Sequence, residues 1–199
     1  MIFRTGIVLF AAFACAVPIA AEPFHHPFGE WREYHRDWLA ACPDVIDEGA
    51  ADYYGYSCFA STGSQQFNSA GQPAYKLTVL RNRLTGAHDI AVTIAADDAQ
   101  TDTSGMLELS FAGDTTIRLD FASDLETRHN TLNQFFVVDP ARTAEVLEKM
   151  KQRNAMTLTV PLIDAASAER STHTVRLSLR GVLASLDFMA AFARKVAQY

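Results

Sequence analysis

The residues of this chain that could do chemistry are few, and their spacing excludes most of it. No GxSxG nucleophile elbow, HExxH zinc helix, phosphate-binding P-loop or GxGxxG dinucleotide turn occurs in the sequence. Ser57 lies beside Cys58, and His88 is followed by Asp89, but nothing in their spacing assembles a nucleophile with its base. Asp97, Asp98 and Asp102 offer carboxylate oxygens without the alternate spacing and distal Glu of a calcium loop, so they read as a solvated polar loop. The six histidines are scattered. His25 and His26 are adjacent, which in an extended chain sends them to opposite sides, and they read as exposed lead-in. The expectation is a protein that is not an enzyme, with no cofactor and no metal.

Cysteines and aromatics carry more information. Of three cysteines, Cys15 falls in an N-terminal leader, leaving Cys42 and Cys58. An even pair in an oxidising compartment predicts a disulfide; two buried free thiols or a metal site are the alternatives, the latter disfavoured because the spacing is not that of a CxxC half-site. Trp31, Tyr34, Trp38, Tyr53, Tyr54 and Tyr56 crowd the same region. Trp38 reads as core around the disulfide. Tyr53, Tyr54 and Tyr56 flank Gly55 inside the loop that the cysteines would close, and they form the candidate partner-binding surface, since tyrosines bury much area while keeping a polar edge.

The leader is a short basic segment with Arg4, an apolar run from Ile7 to Ala14, and small residues up to Ala20-Ala21. This is the layout of a secretory signal peptide over 1–21, cleaved after Ala21. A membrane anchor would need a longer uninterrupted apolar run, and Pro18 breaks this one. A lipoprotein anchored at Cys15 lacks the aliphatic residue expected at Ala12. The mature chain, 22–199, contains no transmembrane segment and reads as a single domain. The net charge of −6, from 17 basic and 23 acidic residues, argues against nucleic acid as a partner.

The elements that must position these residues are mostly strands. Apolar residues alternate with polar ones at Tyr75-Leu77-Val79, Ile90-Val92-Ile94, Leu107-Leu109-Phe111, Ile117-Leu119-Phe121, Leu158-Val160-Leu162 and Val175-Leu177-Leu179. Phe135-Phe136-Val137-Val138 reads as a strand buried on both faces, and Trp38–Cys42 and Tyr56–Ala60 supply two more. Gly113-Asp114 marks a hairpin. Asp97–Gly105 and Ser167–Thr172 read as polar loops, and Glu22–Gly29 as an irregular lead-in. Two helices interrupt the pattern. Asp139-Pro140 is an N-cap followed by proline at the first helical position, opening a helix to about Asn154 with a stripe of Ala144, Leu147 and Lys151, Val146 and Met150 beside it, and a Glu145–Lys149 pair. After Gly181, Val182, Leu186, Met189 and Ala193 recur at helical spacing, with Phe188 and Phe192 near them. Successive strands without intervening helices predict an all-β fold: an antiparallel β-sandwich, immunoglobulin-like, with two short helices packed on it.

Asp37-Trp38-Leu39-Ala40-Ala41-Cys42 followed by Tyr56-Ser57-Cys58 resembles the opening of the invasion-associated locus B family. Leu177-Ser178-Leu179-Arg180-Gly181-Val182-Leu183-Ala184-Ser185-Leu186 is similar to that family's closing strand, glycine and helix. The resemblance implies a periplasmic or cell-envelope-associated β-sandwich of α-proteobacterial type without catalytic residues, linked in some pathogens to host-cell entry. Together with the residue-level reading it gives the expected function: an exported, non-enzymatic envelope protein that binds a protein or an envelope component. The alternative is a periplasmic carrier enclosing a small ligand or lipid between its layers.

Overall fold

The structure, a computed structural model, describes residues 22–47, 49–50, 55–128, 131 and 133–196. The signal-peptide reading of 1–21 therefore lies outside the described residues.

The alternating segments form strands as their patterns require, and the strands form two antiparallel sheets. A long meander builds the larger one: β1 (Phe24–His26), β2 (Glu30–His35), β3 (Trp38–Pro43), β4 (Ser57–Gly63), β5 (Tyr75–Asn82) and β6 (His88–Ile94) pair in chain order. Beyond β6 lie β11 (Gln134–Val137) and then β10 (Leu125–Thr127) at the far edge. The smaller sheet runs β13 (Arg170–Ser178), β12 (Ala155–Asp164), β8 (Met106–Phe111), β9 (Ile117–Asp120), with β7 (Ala99–Thr101) also on β12. The result is an all-β antiparallel sandwich carrying two short helices, α1 (Pro140–Gln152) and α2 (Val182–Val196).

One contiguous core joins both layers and both helices. Trp38, Tyr75, Leu77 and Ile90 reach it from the larger sheet, and Leu107, Leu119 and Leu158 from the smaller. Met150 of α1 and Met189 of α2 are fully buried in it. β11 is buried at all four residues, Phe135, Phe136 and Val137 as the apolar run predicts and Gln134 besides, whereas Val138, the last residue of that run, is exposed and lies past the strand. A second, smaller cluster of Leu80, Ala91 and Phe136 lies on the opposite face of the larger sheet.

Several local expectations need correction. The lead-in is not irregular: Phe24–His26 pairs with Glu30–Arg32 as an edge hairpin. The loop around Asp97–Gly105 contains β7, which lacks apolar alternation and is held by backbone pairing to the end of β12. β13 begins at Arg170, so the expected Ser167–Thr172 loop is shorter. In α1 the Asp139 carboxylate caps the Ala141 amide at 2.9 Å as expected. The buried stripe, however, is Thr143, Val146, Leu147 and Met150, leaving Ala144 exposed. The bulkier Val146 and Met150 set the face, which turns Glu145 towards Arg142 and Lys151 towards Glu148 instead of forming the Glu145–Lys149 pair.

Cys42 and Cys58 form a disulfide, both fully buried. The β3–β4 register pairs Ala41 with Phe59, so the two cysteines face each other one step further on. The bond is a cross-strand staple within the larger sheet. α2 lies over it, with the Met189 carbonyl oxygen 3.9 Å from Cys58 Sγ. Its separation of 16 residues predicts that a Cys42→Ala, Cys58→Ala double variant loses about 3 kcal/mol by loop entropy. For a chain of this size that lowers Tm by about 6–12 °C. Thermal unfolding checks it: reductant should bring the wild type down to the variant and leave the variant unmoved.

Candidate functional site

The residues singled out for catalysis or metal binding are placed apart. His88 and Asp89 are neighbours on β6 and point to opposite faces. The imidazole meets Arg81 Nη1 at 3.2 Å, and Asp89 meets Arg128 at 3.3 Å on the other side. Burial first, then the charges of Arg81 and Lys151, hold His88 below its ordinary pKa, with Asp89 opposing. Ser57 is buried at the start of β4. Asp97 accepts from the Ser69 hydroxyl at 3.1 Å, whereas Asp102 accepts from the Ser104 hydroxyl at 2.6 Å and meets Arg170 at 3.3 Å. These carboxylates tie down turns. His25 bonds to Asp44, and His26 packs edge-on to Phe28. Among the described residues, no three His, Cys, Asp or Glu side chains group as metal ligands would.

Of the three tyrosines, Tyr53 and Tyr54 lie outside the described residues. Tyr56 is half-buried and packs with Phe59 against the cluster of Leu80, Ala91 and Phe136. Its ring contributes to the packing of the outer sheet face. Trp38 is fully buried, as expected of core, and its indole N–H donates to the Ser178 carbonyl at 3.0 Å, joining β3 to β13 across the layers.

A concave surface lies elsewhere, at the β13 edge between the layers. Among the described residues, β13 pairs with β12 on one side and with no strand on the other. Its free side faces the end of β4 and the following turn across an open groove of about 700 Å³. Thr62, Gly63 and Gln66 form one wall, and residues from His173 to Ser178 form the other. Bridges close the two ends. At one, the Ser178 hydroxyl donates to Asp37 at 2.6 Å and the Asp37 amide donates to the Arg180 carbonyl at 3.3 Å. At the other, His173 Nε2 meets Gln66 Oε1 at 3.2 Å while the imidazole stacks on Tyr75, ring centres 5.0 Å apart. Burial, and to a lesser degree Asp98, push the Tyr75 phenol above its ordinary pKa, so it stays neutral beneath the groove.

The groove holds hydroxyls, amides and cations on a rigid frame. That chemistry suits recognition by hydrogen bonding and charge. Sequence reasoning missed it because its walls come from strands more than a hundred residues apart. One signal was available: from Arg170 to Leu186 the chain contains Arg170, Arg176 and Arg180 but no Asp or Glu, in a protein with a net charge of −6. Compared with known proteins, the chain matches no family model, no curated protein and no solved structure.

Proposed function

We propose that this chain is an exported, non-enzymatic protein of the cell envelope whose task is to bind a protein or envelope component, with the groove between β4 and β13 as the contact surface. One observation carries the reading: among the described residues, large apolar side chains occupy the interior, and the groove opens outward at the β13 edge. Trp38, Tyr75, Leu77, Leu107, Leu109 and Leu158 occupy the interior at or near zero exposure. Such an interior supports a rigid binding scaffold over a carrier that encloses its ligand. The buried disulfide and the sequence resemblance to the invasion-associated locus B family support export. Among the described residues, no helix is long and apolar enough to cross a membrane.

A photo-cross-linking residue placed at Gln66, on the groove wall, tests this in intact cells. A discrete adduct is expected there, with none from Glu148 on the exposed face of α1. Equal labelling at both positions, or none at Gln66, would refute the assignment. Native mass spectrometry of gently extracted protein addresses the carrier, which would retain lipid or small-molecule mass.

A further inference from the structure

The groove is lined by the consecutive residues His173, Thr174, Val175 and Arg176. Successive side chains of a strand point to opposite faces, so one groove can touch all four only along the backbone edge itself. The hydrogen-bond phase of that edge follows from its ends. The Leu179 amide donates to the Asn154 carbonyl at 2.9 Å, towards β12, while the Ser178 carbonyl accepts from Trp38 on the other side. In an antiparallel ladder the two kinds of position alternate. The N–H and C=O groups of Thr172, Thr174 and Arg176 therefore point away from β12, and those of Thr174 and Arg176 point into the groove. The β12–β13 register agrees: Thr172 faces Pro161, whose carbonyl accepts from the Asp102 amide away from β13.

We propose that this edge binds an extended, acidic segment of a partner polypeptide by strand addition, with Thr174 and Arg176 supplying the backbone ladder and Arg176 and Arg180 supplying the charge. The proposal deepens the binding function assigned to the groove and rests on it. The groove spans about six residues of extended chain, from His173 to Ser178, at roughly 3.4 Å per residue. Backbone pairing supplies affinity and flanking side chains supply selectivity, the usual division in strand addition. Charge selects the occupant. Arg176 and Arg180 line the groove and, among the described residues, have no carboxylate within ion-pairing distance, whereas Arg170 is engaged by Asp102. Among the described residues lining the groove, the one acidic side chain, Asp37, already accepts the Ser178 hydroxyl. A second copy would bring the same cations edge to edge, the arrangement by which natural sheets keep open edges from pairing with themselves. An acidic strand meets the opposite field.

The probe is a short capped peptide alternating valine with aspartate, titrated by NMR against the mature protein. Shifts centred on Thr174 and Arg176 amides are expected. Thr174→Pro removes an N–H that β12 does not use, a substitution that open edges tolerate, and should abolish binding while Tm stays near the wild-type value. Should that variant fail to fold, R176E with R180E provides the second arm: about tenfold weaker binding at low salt. Undiminished binding in either folded variant, or equal binding of a lysine-for-aspartate peptide, overturns the proposal. So does concentration-dependent dimerisation that T174P removes, which would make a second copy the occupant. A Gln66 adduct that persists in T174P would refute strand addition while leaving the groove's binding role standing, and absence of any adduct would remove that role itself.

Discussion

Replacing Gly181 by alanine is expected to destabilise the protein by about 3 kcal/mol or more, beyond the ordinary cost of a left-handed alanine. Gly181 joins the end of β13 to α2 at a φ of +108°, where L side chains are already strained. A Cβ there would lie 1.8 Å from the His35 carbonyl oxygen and 2.8 Å from its carbonyl carbon. Both are main-chain atoms, so no side chain can swing aside to make room. The contact is also where the β2–β3 turn meets the start of α2, anchored by the Asp37 amide on the Arg180 carbonyl. Either the turn or the helix must shift, and α2 contributes Val182, Phe188 and Met189 to the core. Gly113 is the control. It has a φ of +81° with nothing within 4 Å of its would-be Cβ, so Gly113→Ala should cost only about 1 kcal/mol. Urea unfolding of the two variants side by side measures the difference, and equal stabilities would show that close approach at Gly181 is not what its position demands.

Trp38→Ala is expected to cost about 3–5 kcal/mol, comparable to or larger than loss of the disulfide. The side chain is fully buried, the largest in that class, and its removal leaves a void beside the sandwich interior. Trp38→Phe separates packing from hydrogen bonding. It keeps most of the apolar area but strips the Ser178 carbonyl of its indole donor, for about 1–3 kcal/mol. That carbonyl belongs to the bridge between β3 and β13 at one end of the groove. Trp38→Phe should therefore widen NMR exchange at Asp37 and Ser178 more than at the distant β8–β9 hairpin. A uniform response would locate the loss in general core packing instead.

How far the amino-acid pattern led depended on how local each feature is. Strands with one wetter and one drier face, such as β8 and the first half of β12, carry the period-two signal because burial alternates along them. The α1 cap was legible because Asp139 and Pro140 act within one turn. The edge hairpin β1–β2 was not: Glu30-Trp31-Arg32-Glu33 places charges on both faces, and its pairing is supplied by β3. The choice of buried stripe in α1 was decided by what packs against it, which no helix states by itself. Trp38 was assigned correctly to the core, but its role in tying two layers together depends on Ser178, 140 residues away. The groove is the extreme case. Hydroxyls and arginines alternating with Val175 and Leu177 read as an ordinary solvated strand face, and only the packing of the sheets reveals that, among the described residues, one side of that strand pairs with no other.

The sulfurs beneath α2 impose an order of events. Cys58 touches Met189, 131 positions later in the chain, and neither cysteine is open to solvent once that helix has docked. An oxidant must therefore reach both thiols while the helix is still loose, and a reductant must wait until it lifts. The rate at which a small thiol reagent opens the native bond would then be a clock for helix detachment, independent of how fast the rest of the sandwich unfolds.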